Sequence, residues 1–317
     1  MKYKITELPT LAYNKIFANI LRSQWYAQQV KKNPRRAVNL KWLTNYHKSF
    51  PWNNPQTLDE KIAWLQVYSD TSQWPELADK YEVRKYVEEK AGGKYLVPIY
   101  GVWDRVEDID FEQLPNQFVI KCTHDSGSTF IVRNKEKEDL ESLKLKINAF
   151  LKRSGGYTTF EPHYFNIKHR IIAEKVLEND NTFYSTSVVD YKIWCFGGEP
   201  YYAFVCYDRH REPDGHIAVV YDLYSIKPWK PIREGLSSMM KDQNFRDVPE
   251  PINLSEMLEI SRKLSQGFPQ VRIDLYHING KIYFSEMTFT ACSGINYFYS
   301  QETQLKMGQL IPLDNKE

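Results

Sequence analysis

Apolar residues Leu11, Ile16, Phe17, Ile20, Leu21, Trp25 and Val30 recur at three- and four-residue steps, which predicts an amphipathic helix between Leu11 and Val30. Its opposite face carries Lys15, Asn19 and Arg22. Pro51, Asn53-Asn54 and Pro55 then mark a turn. Thr57 followed three residues later by Glu60 is a capping box, and Ile62, Leu65, Val67 and Tyr68 continue the helix it opens. A second helix is expected from Leu77 through Ala78, Tyr81, Val83 and Val87 to Ala91, ended by Gly92-Gly93. YLVPIYGVW and QFVIKC read as strands, and residues 138–151 as a helix closed by Ser154-Gly155-Gly156. RIIAEKVL, DYKIWCF, YYAFVCYD and HIAVVYDLY form a run of strands, and Leu254 to Leu264 is helical. VRIDLYHI and KIYFSEMTF flank Asn279-Gly280, the signal of a tight hairpin. The tail is helical or irregular, and the whole is α+β with long antiparallel runs and no internal repeat.

Composition agrees with a folded chain: of 317 residues 42% are hydrophobic, 15% aromatic and 26% charged, which excludes a mainly disordered or collagen-like protein. The 42 Lys and Arg against 40 Asp and Glu give no global basic footprint for nucleic acid. The charge is uneven, however. Residues 1–50 hold ten basic side chains and one acidic one, a +9 segment attached to a −7 remainder. That segment suits either a peripheral contact with an anionic membrane or simple packing of the first helix on its own domain. No stretch of about 18 apolar residues and no signal-peptide pattern is present. Cys122, Cys195, Cys206 and Cys292 are widely spaced and make neither a disulfide framework nor a zinc ribbon, so a cytoplasmic location is expected.

Three groups of residues carry candidate chemistry. In FVIKCTHDSGSTF, Lys121 interrupts an apolar strand, and an unpaired buried ammonium is costly, so it must meet water or an anion. The polar loop that follows, with Gly127, offers backbone N–H groups to a phosphate. Lys175 and Lys192 sit in further apolar runs. In RIDLYHINGKIYFSEMTF, Asp274 and Glu286 interrupt two strands joined by a tight turn, with Arg272 on the face of Asp274 and Thr288 on the face of Glu286. Two carboxylates so placed suit Mg2+, whose remaining ligands are usually substrate phosphates and water. His124 could contact a phosphate or structure its loop; the other histidines have no ligand spacing, and Cys122 points away from Lys121 into the core.

Taken in order, the segments NPQTLDEKIAWLQVYSD, LADKYEVRKYV, LPNQFVIKC, HRIIAEKVLE, CFGGEP and FPQVRIDLYHINGKIYFSEMTF resemble the TupA-like family of the ATP-grasp superfamily. That family is named for teichuronopeptide biosynthesis and is sometimes labelled glycosyltransferase. The resemblance implies an ATP-grasp fold, two lobes with mixed or antiparallel sheets clasping a nucleotide after a helical N-terminal segment. It divides the chain into a basic amphipathic segment (1–55), a helical region (56–115), a small lobe (116–178) and a large lobe with the metal site (179–317). It also implies ATP and Mg2+ as cofactors. Lys121 would touch the α- and β-phosphates, with His124, Ser126, Gly127, Ser128 and Thr129 in the covering loop. Glu174, Lys175, Val176, Leu177 and Glu178 would hold the adenine, ribose and α-phosphate. Lys192 would reach the triphosphate, Arg272 the acceptor or γ-phosphate, and Asp274, Glu286 and Thr288 the Mg2+. The loop carries fewer glycines than the HGSGG typical of the family, and Thr288 stands where ATP-grasp enzymes often have Asn.

The activity this implies is an ATP-dependent carboxylate–amine ligase that forms an amide through an acyl phosphate. Its partners would be a carboxylate-bearing glycan or sugar precursor of surface polysaccharide and an amine donor. A glycosyltransferase, an ATP-dependent glycan phosphotransferase and a nucleotide-binding scaffold are the alternatives; the first is disfavoured by the lack of an evident Asp-x-Asp motif.

Overall fold

The computed structural model describes residues 19–153, 155–157, 159–178, 184–213 and 216–313. Residues 11–18 of the expected first helix lie outside that set. In the remainder the expected helix is broken at Ser23, whose hydroxyl donates to Ile20 O at 2.6 Å and accepts from Tyr26 N–H, so a new helix α1 (Gln24–Lys32) starts there. Helix α2 (Pro34–Tyr46), absent from the periodicity reading, is started by Asn33, which accepts from Arg36 N–H, and by Pro34 at its first turn. Tyr26, Val30, Ala37, Val38 and Trp42 are all buried against Ala63 and Phe160. The apolar face of this segment is therefore spent on the fold, which excludes its insertion into a bilayer across the described residues. No described helix is long and apolar enough to cross a membrane.

Helix α3 (Leu58–Tyr68) has the expected capping box, with Thr57 accepting from Glu60 N–H and Glu60 reaching back to Thr57 N–H. The next expected helix is two: α4 (Trp74–Ala78) and α5 (Val83–Lys90). Asp79 separates them, because its carboxylate takes the N–H groups of Tyr81 and Glu82 and so starts a fresh turn. Gly92, at φ +111°, ends α5.

Two all-antiparallel sheets follow. The first has the order β1 (Ile99–Trp103), β4 (Ile171–Glu174), β2 (Phe118–Cys122), β3 (Phe130–Val132), backed by α6 (Leu140–Leu151). Its edge strand β1 comes from the stretch before residue 116. Strand β4 is shorter than expected: it ends at Glu174, leaving Lys175 exposed beyond it. The second sheet has the order β10 (Lys281–Thr288), β9 (Gln270–Ile278), β5 (Asp190–Phe196), β6 (Glu199–Arg211), β7 (Ile217–Ile226), β8 (Trp229–Pro231). Helix α7 (Leu254–Ser265) packs on β5, β6 and β9, and α8 (Gln301–Gln309) packs on α3. The α+β class with a helical N-terminal segment is thus as expected.

Candidate functional site

Strand pairing assembles the central cluster. Lys192 on β5 is paired in register with Asp274 on β9, and Asp274 with Glu286 on β10, so three charged side chains line up across three neighbouring strands. Two residue pairs along, Arg272 faces Thr288 on the same side of the sheet. A bulge between Phe284 and Glu286 sets that register on β10. Asp274 is fully buried and accepts from Arg272 Nε at 2.7 Å, Arg272 Nη2 at 2.8 Å and Lys192 Nζ at 2.5 Å. Glu286, by contrast, keeps 38% of its side chain exposed and meets Arg272 at 3.4 Å. Burial pushes Glu286 up, but Lys192, Arg272 and Lys80 outweigh it and hold its carboxyl at about 2. Burial likewise opposes the charge on Lys192, and Asp190 and Asp274 raise it above the ordinary lysine value.

This cluster forms one wall of a cavity of about 530 Å3. Of the expected site residues the cavity lining includes His124, Ser126, Lys192, Arg272, Glu286 and Thr288. Asp274 lies behind them, bound to two of these cations. Lys121 is outside the cavity lining, and its ammonium meets Glu174 of the adjacent strand at 2.6 Å, so two expected nucleotide ligands pair with each other. Lys175 is exposed beyond β4 and is not part of the cavity lining; its backbone N–H donates to Pro98 O at 2.9 Å. Val176 is buried, Leu177 half-buried, and Glu178 exposed with Arg133 at 3.6 Å.

The loop after β2 is organised by its own side chains. Ser128 is buried, accepts from Cys122 N–H at 3.0 Å and donates to Asp125; Gly127, at φ +87°, makes the turn, and Thr129 is exposed. His124 stacks on His169 with ring centroids 3.6 Å apart, and its Nε2 faces Arg153 O at 3.2 Å. Burial, with His169 beside it, pulls its pKa down to about 4. Its Nε2 is thus engaged with the backbone, and the ring also lines the cavity. Cys122 is buried in the core of the first sheet, as expected.

Sequence reasoning missed Lys80, Glu161, Tyr164, Arg209 and the turn 291–294, all of which line the cavity at least in part. Cys292, Ser293 and Gly294 are consecutively left-handed, at φ 50°, 57° and 71°, which strains the two non-glycines by roughly 1–3 kcal/mol each. Lys41 of α2 clamps that turn, donating to Ser293 O and to Thr159 O, and burial holds its pKa down to about 8 against Glu161 and Asp59. Glu161 takes a hydrogen bond from Thr290 at 2.5 Å. Only the Asp79 start signal marked the break that frees Lys80; the others carry no local pattern.

The donor set suits Mg2+. Glu286 and Thr288 open their oxygens to the cavity with Asp274 directly behind, whereas no group of three or more His, Cys, Asp or Glu converges among the described residues. One or two carboxylates completed by phosphate oxygens is the usual Mg2+ environment, while a structural zinc needs the larger group.

A family model described as TupA-like ATP-grasp matches residues 60–312. No curated protein gives a significant match. Among solved structures, D-alanine–D-alanine ligase from Bacillus anthracis is similar at 13% identity and a TM-score of 0.41, over 74% of this chain and 67% of that one. The same enzyme from Helicobacter pylori gives 14%, 0.41, 82% and 70%. L-amino acid ligase from Bacillus licheniformis gives 14%, 0.44, 90% and 64%.

Proposed function

This chain belongs to the TupA-like ATP-grasp family of enzymes, and we propose that it joins a carboxylate to an amine at the expense of ATP. The observation that carries this reading is the register line Lys192, Asp274, Glu286 with Arg272 beside it, in which Lys192, Glu286 and Arg272 face one cavity and Asp274 backs them. Phosphoryl transfer needs positioning and charge neutralisation more than covalent help, and this cluster supplies both.

In the first step an acceptor carboxylate oxygen attacks the γ-phosphorus, the bond to the β–γ bridging oxygen breaks, and ADP leaves with that electron pair. In the second the amine nitrogen attacks the acyl carbon, the bond to the phosphate oxygen breaks, phosphate departs and the amine proton passes to solvent. Lys192 and Arg272, fixed by Asp274, orient and neutralise the phosphate oxygens. Glu286 and Asp274, with Thr288, would hold Mg2+, which would supply neutralisation of phosphate charge. The backbone from Glu174 to Glu178 would hold the adenine and ribose, with Ser126 to Thr129 covering the phosphates. We assign the acceptor to a carboxylate-bearing glycan or sugar precursor of cell-surface polysaccharide, in the cytoplasm, and the basic residues 1–50 to a peripheral, charge-only contact with an anionic membrane.

The test is to incubate the protein with Mg-ATP, uronic-acid acceptors and amino acids, and to follow nucleotide and phosphate. ADP and free phosphate formed only when both acceptors are present support the ligase. ADP with phosphate retained on the glycan replaces it with a phosphotransferase, and turnover of a sugar nucleotide without ATP removes both.

A further inference from the structure

The segment 291–299 borders two cavities that share no lining residue. Ala291, Cys292, Ser293 and Phe298 line the one described above, and Ile295, Asn296, Tyr297 and Tyr299 line a second, of about 320 Å3. That volume lies within the range of roughly 300–1,000 Å3 usual for small-ligand pockets. Part of the second lining is locked from behind. Asp59 is buried and accepts from Tyr46 Oη, from Asn296 N–H at 3.0 Å and Nδ2 at 2.7 Å, and from Gln304 Nε2 at 3.0 Å; Tyr46, Asn296 and Gln304 all line the cavity. A lining fixed in advance lowers the ordering cost of binding. Asn45, Tyr297 and Gln301 complete it from exposed positions, with their polar ends open to a ligand. The Tyr297 ring is 53% exposed and is steadied by Phe298, centroids 4.3 Å apart. Trp42, also in the lining, leaves its buried Nε1 without a hydrogen-bond partner among the described residues.

The charges of this cavity cancel. Lys48 and Glu60 are its charged lining residues, and they meet at 3.8 Å. Helix N-termini are the usual seats for anions, but α3 is closed by its Thr57–Glu60 capping box and α8 by Ser300, which accepts from Thr303 N–H. A phosphate or carboxylate therefore finds no surplus of donors or positive charge. What remains is aromatic face beside side-chain amides and hydroxyls. Aromatic faces carry negative charge density that attracts the weakly positive C–H groups of a sugar ring, and amides can both donate to and accept from its hydroxyls. We propose that this second cavity binds a neutral pyranose unit of a glycan, stacked on Tyr297 and hydrogen-bonded by Asn45 and Gln301. The assignment stands apart from the ATP reading, because the two cavities have no residue in common.

The experiment is saturation-transfer NMR on the full chain with the methyl glycosides of glucose, galactose, mannose, N-acetylglucosamine and glucuronic acid, each at millimolar concentration. At least one neutral glycoside should receive saturation, most strongly at its ring C–H protons. Tyr297→Phe should keep the signal, and Tyr297→Ala should weaken binding about tenfold without loss of the core, since the ring is half exposed. Gln301→Ala should weaken it by a similar factor. Silence from every neutral glycoside, or a signal from the glucuronide alone, overturns the proposal, as does binding unchanged in both Tyr297→Ala and Gln301→Ala. Mg-ADP added to the complex should leave the signal in place; displacement would put the sugar in the first cavity and overturn the assignment to the second. Failure of the chain to bind Mg-ADP, measured by calorimetry, would remove the ATP reading and leave the sugar site standing.

Discussion

Asp274→Asn and Glu286→Gln remove neighbouring carboxylates, yet the structure separates their consequences. Asp274 has no exposed side-chain surface and sits between Arg272 and Lys192, whose side chains are 10% and 16% exposed. The substitution leaves two buried cations without their shared counter-charge, a change that costs about 3–5 kcal/mol. With a urea dependence of about 3 kcal/mol per molar, the unfolding midpoint should fall by roughly 1–2 M. Glu286 is open to the cavity, meets Arg272 at 3.4 Å and accepts from Thr288 Oγ1 at 3.0 Å, so Glu286→Gln should cost about 0–1 kcal/mol at neutral pH. Its carboxyl is lower in the fold, about 2, than the ordinary 4.5, so it contributes stability above pH 4.5 that is lost as pH falls toward 2. Glu286→Gln should flatten the stability profile in that window. Both variants should lose Mg-ATP turnover, read as ADP release, with unfolding followed by circular dichroism. Wild-type midpoints for Asp274→Asn would refute the buried ion-pair argument. Unchanged turnover in Glu286→Gln would remove the metal assignment.

Lys121→Met should destabilise by about 3 kcal/mol at most, because it leaves Glu174 with only Arg84 at 3.8 Å, and adding Glu174→Met should recover part of the loss in thermal unfolding. Thr57→Ala, which removes the capping box of α3, should cost about 1 kcal/mol in urea unfolding. His124 is held near 4 against an ordinary 6.5, so the unfolded chain binds the extra proton between those values and stability should fall as pH drops through them; His124→Gln should weaken that slope, and the imidazole NMR signal should titrate near pH 4.

The parts of the site that sequence made legible share one property: they alternate along strands. Asp274, Glu286, Arg272, Thr288 and Lys192 could be placed on one face because a two-residue period and an Asn-Gly turn fix which side chains share a surface. The parts that stayed hidden depend on long-range partners. Nothing around Lys121 indicates that Glu174, 53 positions on, will neutralise it; that follows only from β2 and β4 being neighbours. Lys80 reaches the cavity because Asp79 interrupts a helix whose apolar periodicity reads straight through the break. Helix α2 was hidden for the opposite reason. Its buried face, Ala37, Val38, Lys41 and Trp42, includes a lysine whose satisfaction by Thr159 and Ser293 is a tertiary fact.

The basic N-terminal segment now supports a sharper prediction than its charge alone allowed. Among the described residues Tyr26, Val30, Ala37, Val38 and Trp42 pack with Ala63 and Phe160, and several cations rest on rings, Lys31 5.2 Å from Tyr157, Arg35 5.0 Å from Trp52 and Arg36 5.0 Å from Trp25. Lys31, Lys32, Arg35 and Arg36 nevertheless remain exposed. Contact made through the exposed cations of α1 and α2 is electrostatic, at about 1 kcal/mol per cation, so four give about 4 kcal/mol, roughly a thousandfold in affinity. Co-sedimentation with phosphatidylserine vesicles should therefore be strong in dilute buffer and vanish at about 0.5 M salt, where charges are screened within a few ångströms. Replacing Lys31 and Lys32 by Gln should weaken it roughly thirtyfold. Binding that survives high salt would refute a contact made by these cations alone. Absence of binding in dilute buffer would leave these cations as a solvated surface resting on its own aromatic rings.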